Sequence, residues 1–353
     1  MTTLPSSPEY LQTSLAAAMV LGLRPGRFYR DVRPLCINLL LHYPQGCRAN
    51  CAYCGLARSR PGTASDKSFI RVEWPLLPTE VLFDRIVRYQ SQLSRVCLSM
   101  VTHPRAYQDT VDLCRGLAGL TELPISALVT PTLLTEARVR ELKESGVERL
   151  GIALDAATPR IFHRLRGQGA SSPHSYERYW ALMEVARPVF GPWKVTCHII
   201  VGIGESDQEL IELFSRLQER QIQGHLFSFY PEEGSAMARR RRPSLVRWRR
   251  MQLVKFLLEQ GVVGPEDMGF DARDRLRHLR VRPAQAEAAL TSGLPFITGG
   301  CPSRNGPLGC TRPFGSYRPG QPFRDFPFHP TGEDLARVRR ELRLGELLKP
   351  KAP

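Results

Sequence analysis

Three cysteines fall close together in the run Gly46-Cys47-Arg48-Ala49-Asn50-Cys51-Ala52-Tyr53-Cys54-Gly55. The spacing is C-x3-C-x2-C, with glycine on both sides and an aromatic just before the last cysteine. Thiolate is the preferred ligand of iron–sulfur clusters, and Cys47, Cys51 and Cys54 suffice for three irons of a [4Fe–4S] cube. The fourth iron then stays open to a small molecule, as a catalytic zinc site keeps one position free. A structural zinc loop and three unrelated buried thiols are the alternatives. Zinc sites usually pair C-x2-C or Cys/His halves, and the nearby His42 falls on the preceding strand pattern, so the cluster reading is preferred.

Such a loop needs a scaffold. From about residue 34, short β-branched or apolar runs alternate with helical patterns, the mark of βα units around a parallel sheet. Strands are expected over 36–42, 96–102, 125–130, 149–155, 194–201 and 225–230. Helices are expected over 78–93, 107–117, 134–145, 175–186, 208–220 and 246–260. Gly146 stands where a C-terminal glycine cap belongs. Weak strands near Gly269 and Phe296 would complete a curved sheet. The fold class expected is α/β, a partial or full (β/α) TIM-type barrel over 34–297. A helical segment (1–33) precedes it. A Gly-, Pro- and Arg-rich extension (298–353) follows, ending in a charged helix over 332–348. Sites in such barrels lie at the C-terminal ends of the strands, and the three-cysteine loop directly follows the first strand.

The chain has 353 residues, with 49 Lys and Arg against 34 Asp and Glu, a net charge of +15. That excess favours an acidic partner: nucleic acid, an acidic carrier protein or an anionic surface. Much of it lies in Arg239 to Arg242 and in Arg247, Arg249 and Arg250. The nine cysteines are odd in number and no secretory signal accompanies them. The apolar stretch 15–23 is too short to span a bilayer. No membrane association and a cytoplasmic location are expected, where thiols stay reduced and available to iron.

The three-cysteine loop resembles that of the radical S-adenosylmethionine (radical SAM) enzymes. The resemblance implies that the open iron chelates the amino acid end of SAM and that Tyr53 lies beside the adenine. The run Ile199-Ile200-Val201-Gly202-Ile203-Gly204-Glu205 is similar to the family's glycine turn. Gly202, Gly204 and Glu205 would then bring backbone hydrogen-bonding groups to the base. Asp155, ending the fourth strand, could accept hydrogen bonds from the ribose. Its alternative is an N-cap for the helix starting near Thr158. The chemistry implied is reductive cleavage of SAM to a 5′-deoxyadenosyl radical, which takes a hydrogen atom from an unactivated C–H. A ferredoxin or flavodoxin would supply the electron.

Two further cysteines, Cys301 and Cys310, lie in a tail whose Gly and Pro content predicts an irregular, tightly turning loop. The reading is a second, auxiliary iron–sulfur cluster, with Cys36 and Cys97 completing the set and Ser316 offering an oxygen. Structural cysteines in a rigid turn are the alternative. The tail is expected to reach the same barrel mouth as the first loop. Cys114 and Cys197 read as small buried hydrophobes. Much of the barrel resembles the biotin synthase and lipoyl synthase branch, where an auxiliary cluster donates sulfur. The stretches Val96-Cys97-Leu98-Ser99-Met100 with Pro104, and Lys194-Val195-Thr196-Cys197, carry that likeness. Two departures argue against ordinary biotin synthesis: no cysteine falls within 125–130, and Thr196 takes a ligand position with Cys197 one residue off.

The whole chain resembles one subunit of the two-component, archaeal-type lipoyl synthases. The features concerned are Lys67-Ser68-Phe69-Ile70-Arg71-Val72-Glu73-Trp74, Thr102-His103-Pro104-Arg105, Leu154-Asp155-Ala156-Ala157-Thr158-Pro159, and the Arg-Pro-Phe tail. It lacks the C-x4-C-x5-C triplet of the single-protein lipoyl synthase. The resemblance implies sulfur insertion into octanoyl-lysyl groups of an acidic lipoyl-carrier protein, with a second radical SAM subunit as partner. The basic run 239–250 could steer that substrate. One alternative is a radical SAM enzyme whose second cluster only moves electrons during methylation, rearrangement or C–C bond formation. The same basic run also suits tRNA, as a radical SAM methylthiolation or methylation enzyme would need, against which stands the lack of an RNA-binding module beside the barrel. An alternative of another class is a non-catalytic iron–sulfur protein that binds nucleic acid through its arginines.

Overall fold

In the computed structural model, residues 4–67, 72–303, 306, 309–310 and 323–348 are described. Eight strands form one sheet: β1 (Tyr10–Thr13), β2 (Cys36–Leu41), β3 (Leu76–Pro78), β4 (Arg95–Ser99), β5 (Ile125–Val129), β6 (Val147–Asp155), β7 (Val195–Val201) and β8 (Gln223–Ser228). Their order is β3-β1-β2-β4-β5-β6-β7-β8. β2 and β4 through β8 run parallel, whereas β1 pairs antiparallel with both β2 and β3. The sheet does not close, so the architecture is a partial barrel of six parallel strands. All six parallel strands lie within two residues of where the sequence pattern puts them at their N-terminal ends.

Parallel neighbours need crossover connections, and helices supply them. Thr79–Tyr89, Ala106–Leu120, Glu136–Glu144, Tyr176–Phe190, Asp207–Glu219 and Leu245–Glu259 match the six expected helices. Four of the six start at side-chain caps. Thr135, Ser175, Ser206 and Ser244 each accept the N–H three residues on, and Ser206 forms a reciprocal capping box with Glu209. Gly146 follows the Glu136–Glu144 helix at φ +95, donating its N–H to the Lys143 carbonyl at 3.2 Å.

Four expectations need correction. The 1–33 segment is not helical throughout: Leu11, Gln12 and Thr13 are buried and pair with Leu41, Leu40 and Leu39, so β1 extends the sheet. The strand at Gly269, β9 (Met268–Phe270), pairs only with β10 (Leu276–Leu279) in a separate ribbon, and Leu294–Phe296 forms one 3-10 turn around Pro295. The terminal helix is broken at Arg343 (φ +51) into Gly332–Leu342 and Leu344–Leu347. Finally, much of the basic run is internal. Arg249 donates to the carbonyls of Phe323 (2.6 Å) and Arg324 (2.5 Å) and pairs with Glu341 at 2.8 Å. Arg250 reaches the Leu342 carbonyl and Glu346, so both arginines clamp the C-terminal helix. Arg239, Arg240 and Arg241 remain exposed. Among the described residues no helix is long and apolar enough to cross a membrane.

Candidate active site

The three-cysteine loop leaves the C-terminal end of β2 through Gly46, whose φ of +71 closes a turn on the Tyr43 carbonyl. It is pinned from several sides. The Arg48 N–H donates to the Thr102 carbonyl and that of Ala52 to the Leu165 carbonyl, both at 2.8 Å, while the Ala52 carbonyl accepts from Met237 at 3.1 Å. Cys47, Cys51 and Cys54 thereby line a cavity of about 230 Å³ at the barrel mouth, with Leu40, Asp155 and Ile200 among its other walls.

Each sulfur has a nitrogen donor aimed at it. The Thr102 N–H approaches Cys47 Sγ at 3.3 Å and the Leu56 N–H approaches Cys54 Sγ at 3.4 Å. Arg166 Nη1 lies 3.6 Å from Cys51 Sγ. Such donors stabilise a thiolate and fit cluster ligation. Without metal, burial pushes the Cys51 thiol up to about 11 against the opposing pull of Arg166, and pushes Cys54 higher still. Iron must therefore draw these protons off, because ligation requires the thiolate. Among the described residues no three His, Cys, Asp or Glu side chains converge on a single-ion site. A cube takes one thiolate per iron and needs no such convergence.

Beside the cysteines lies a buried ionic network. Tyr53 donates its hydroxyl to Asp155 Oδ2 at 2.5 Å, and Arg166 Nη1 reaches the same oxygen at 2.5 Å and the Tyr53 hydroxyl at 2.9 Å. Arg166 Nη2 adds the Tyr179 hydroxyl at 3.1 Å. Asp155 sits at φ +64 beyond an irregularity in the β6–β7 register, which turns its carboxylate into the cavity. It is not a helix cap: Thr158 caps Pro159–Leu165 by accepting the Ile161 N–H. His174 also lines the cavity, held by Thr132 at 2.6 Å, and burial lowers its pKa to about 3.

The glycine turn behaves otherwise than expected. Gly202, Gly204 and Glu205 do not line the cavity. The Glu205 carboxylate folds back to accept the N–H groups of Gly202 (2.6 Å), Ile203 (2.9 Å) and Gly204 (2.9 Å), and Arg247 pairs with it at 3.0 Å. These backbone donors are consumed inside the turn and are not offered to a base. The glycines serve the bend itself, at φ +108 and +130.

Four other cysteines come together deeper in the barrel. Cys36, Cys97 and Cys310 form one buried cluster with Cys301 packed against it. Asn38 Nδ2 lies 3.8 Å from Cys36 Sγ and 3.9 Å from Cys310 Sγ, and the Ser126 hydroxyl lies 3.5 Å from Cys301 Sγ. Hydrogen bonding to Cys310 and burial hold the Cys36 thiol well above its ordinary range. Contrary to the expectation that the tail reaches the mouth of the first loop, it enters from the opposite end. Cys36 opens β2, Arg95 opens β4 opposite it, and Arg95 Nε donates to the Pro302 carbonyl at 3.2 Å. Gly300 and Gly309 allow this: a Cβ on either would collide with the facing backbone of the tail. The void among these residues is about 10 Å³, so seating a cluster there requires the tail to shift outward. The donor chemistry suits a cluster, and the space must open for it. Ser316 lies outside the described residues.

Sequence reasoning missed Arg166, His174 and His198. An arginine just past a helix reads as surface charge, and single histidines carry no spacing signal.

The radical SAM superfamily pattern matches residues 42–217, from the end of β2 through the helix after β7, and the chain belongs to that superfamily. Membership implies a [4Fe–4S] cluster and SAM. Among curated proteins it is similar to a GTP 3′,8-cyclase of Acaryochloris marina, 28% identical over 187 residues, 52% of this chain and 54% of that protein. It is also similar to a biotin synthase of Streptococcus agalactiae, 29% identical over 186 residues, 52% of each chain. The chain thus spans about half the length of the curated relatives it matches. A solved structure of methylornithine synthase superposes with a TM-score of 0.49 at 15% identity, covering 95% of this chain and 87% of that one.

Proposed function

We propose that this radical SAM enzyme inserts sulfur into an unactivated C–H of an acyl chain. Its substrate would be an octanoyl-lysyl group on an acidic carrier protein. The chain would act as one subunit of a two-protein lipoyl synthase, with a ferredoxin or flavodoxin as electron donor. The observation that carries the reading is the gathering of Cys36, Cys97, Cys301 and Cys310 inside the barrel beneath the Cys47–Cys51–Cys54 cavity. Four thiols from two strands and the tail make a ligand set for an auxiliary cluster next to the place where a substrate radical would form. When bound, the two clusters and SAM supply the radical and the sulfur.

The chain's own residues do the rest. Arg166 and the backbone donors of Thr102 and Leu56 hold the first loop's thiolates. Asp155 and Tyr53 present a fixed polar wall to the nucleoside part of SAM. Ile200, Leu128, Phe227 and Phe229 give the cavity an apolar lining that excludes water and suits a hydrocarbon chain.

The test is anaerobic reconstitution, followed by iron counting and assay of 5′-deoxyadenosine and thiolated product after adding dithionite, SAM and an octanoyl-lysyl peptide. About eight irons per chain with both products support the proposal. About four irons, or deoxyadenosine without thiolation, would discard the sulfur donor. Eight irons retained through turnover with no thiol would point to an electron-carrying second cluster. Cys301→Ala should keep SAM cleavage and lose thiolation.

A further inference from the structure

Outside the barrel, between the Leu245–Glu259 helix and the β9–β10 ribbon, lies a cavity of about 390 Å³. None of its lining residues borders the three-cysteine cavity. Arg247 and Arg250 enter it from the helix, and Arg273, Arg275 and Arg277 from the ribbon. Local structure places both sets. Arg247 and Arg250 are three residues apart and share one helix face. The ribbon turn is closed by Asp271, whose Oδ1 accepts the N–H groups of Arg273 (2.9 Å) and Arg275 (3.1 Å). A bulge between Leu276 and His278 leaves Arg277 opposite no residue of β9, and bulges of this kind re-aim a side chain.

The carboxylates around this cavity are already engaged. Asp207 accepts Arg247 Nε on one oxygen (2.6 Å) and the Leu276 N–H on the other (2.9 Å). Glu205 is taken up by the glycine turn and Arg247. Asp271 Oδ2 receives Nε of both Arg275 (2.9 Å) and Arg277 (2.8 Å), one carboxylate for two guanidiniums. Arg273 makes no ion pair among the described residues. Burial holds the Arg250 guanidinium below its ordinary range despite Glu346, and Arg277 adds like-charge repulsion. The helix acts in the same direction. Ser244 and Val246 line the cavity, and the N–H groups of Leu245 and Val246 have no acceptor among the described residues. Those donors carry the positive end of a 15-residue helix dipole.

We propose that this cavity binds a small ligand carrying two or more linked phosphates, a diphosphate or its ester. Guanidinium forks match phosphate oxygens bidentately, and a helix N-terminus favours the same charge. The arginines stand on two different walls, so linked phosphates can bridge them where a single phosphate meets only one set. The site is independent of sulfur insertion, because it uses no residue of either cysteine group.

The experiment titrates inorganic diphosphate calorimetrically into the reconstituted full chain at about 0.1 M salt, with cluster absorbance followed to show that no iron is removed. One diphosphate per chain should bind saturably, and about tenfold or more tighter than orthophosphate. Arg273→Gln combined with Arg277→Gln should weaken diphosphate binding by about tenfold or more, the loss expected on removing hydrogen bonds to a charged group. Asp271 keeps Arg275 in that variant, so its unfolding midpoint without ligand should match the wild type. Diphosphate should then raise the midpoint of the wild type and not of the double variant. Arg140→Gln, at an exposed arginine of the Glu136–Glu144 helix, should bind as the wild type does. Uridine 5′-diphosphate distinguishes the sources: binding tighter than diphosphate assigns an ester, weaker binding the free ion. Absence of saturation, orthophosphate as tight as diphosphate, or an unchanged affinity in the double variant would overturn the site. So would an equal loss in Arg140→Gln, which means diffuse attraction, or tighter binding of an octaglutamate peptide, which means an acidic protein segment.

Discussion

Arg166 offers the sharpest test of how the site is held together. Its guanidinium serves Asp155, Tyr53, Tyr179 and Cys51 at once, and the Arg166 and Asp155 side chains are only 11% and 9% exposed. An exposed ion pair would contribute about 1 kcal/mol or less. Removing one partner of a buried pair costs about 3–5 kcal/mol, because the other charge is left without compensation. Arg166→Met should therefore destabilise the protein by that amount. With an unfolding entropy of about 2.1 cal/mol/K per residue over the chain, the midpoint should drop by about 4–7 °C. The assay is urea and thermal unfolding of the reduced, metal-free protein, run as a double-mutant cycle with Asp155→Asn. Removing both charges should recover about 2–3 kcal/mol of the summed single effects. Arg166→Lys should not rescue, since one ammonium cannot reproduce the planar fork. Iron uptake should also slow in Arg166→Met, because the guanidinium lowers the Cys51 thiol against its burial. Additivity within about 0.5 kcal/mol would refute the claim that these residues act as one network.

Cys51→Ala should lose about four irons and all 5′-deoxyadenosine formation, read by iron analysis and chromatography. Glu205→Ala leaves three N–H groups of the glycine turn without their acceptor. It should cost about 3 kcal/mol or more in a thermal melt, with Glu205→Gln intermediate. His174, with a folded pKa of about 3 against an unfolded value of about 6.5, is buried neutral. Its contribution is fully present above the unfolded value and is lost as pH falls toward the folded one. Stability should decline by roughly 2–3 kcal/mol between pH 7 and about pH 4.5 on its account. His174→Gln should flatten that part of the pH profile.

The parallel strands are legible because each is a short apolar run buried on both faces and bounded by turn residues, a pattern with few competing readings. The first cysteine loop is legible because its ligands are contiguous in sequence. The second set was nameable residue by residue, since Cys36 and Cys97 share the inner face of neighbouring strands two residues out of step. The direction from which Cys301 and Cys310 arrive was not, because it depends on where the chain lies after the Leu245–Glu259 helix and the β9–β10 ribbon. Glu205 shows a different failure. A glutamate after a glycine turn looks available for a ligand, and only the turn's dihedral angles bring its carboxylate back onto its own backbone. Arg249 and Arg250 failed for a related reason. Their sequence neighbours suggest a charged surface, whereas carbonyls and carboxylates 74 to 96 residues downstream receive them.

That burial changes how charge can serve the proposed carrier protein. Arginines that clamp the C-terminal helix cannot steer a partner, so steering falls to the exposed end of the run, Arg239 and Arg241. Replacing both with Gln should leave the unfolding midpoint unchanged and lower kcat/KM for an acidic octanoyl-carrier several-fold at low ionic strength. The deficit should shrink as salt shortens the screening length from about 10 Å at 0.1 M to about 3 Å at 1 M. Arg249→Gln should do the reverse, lowering stability at every salt concentration because its partners are the Phe323 and Arg324 carbonyls and Glu341. The contrast separates a long-range field from a local clamp. If the Arg239→Gln, Arg241→Gln double variant tracks the wild type at all ionic strengths, the basic run has no part in substrate approach.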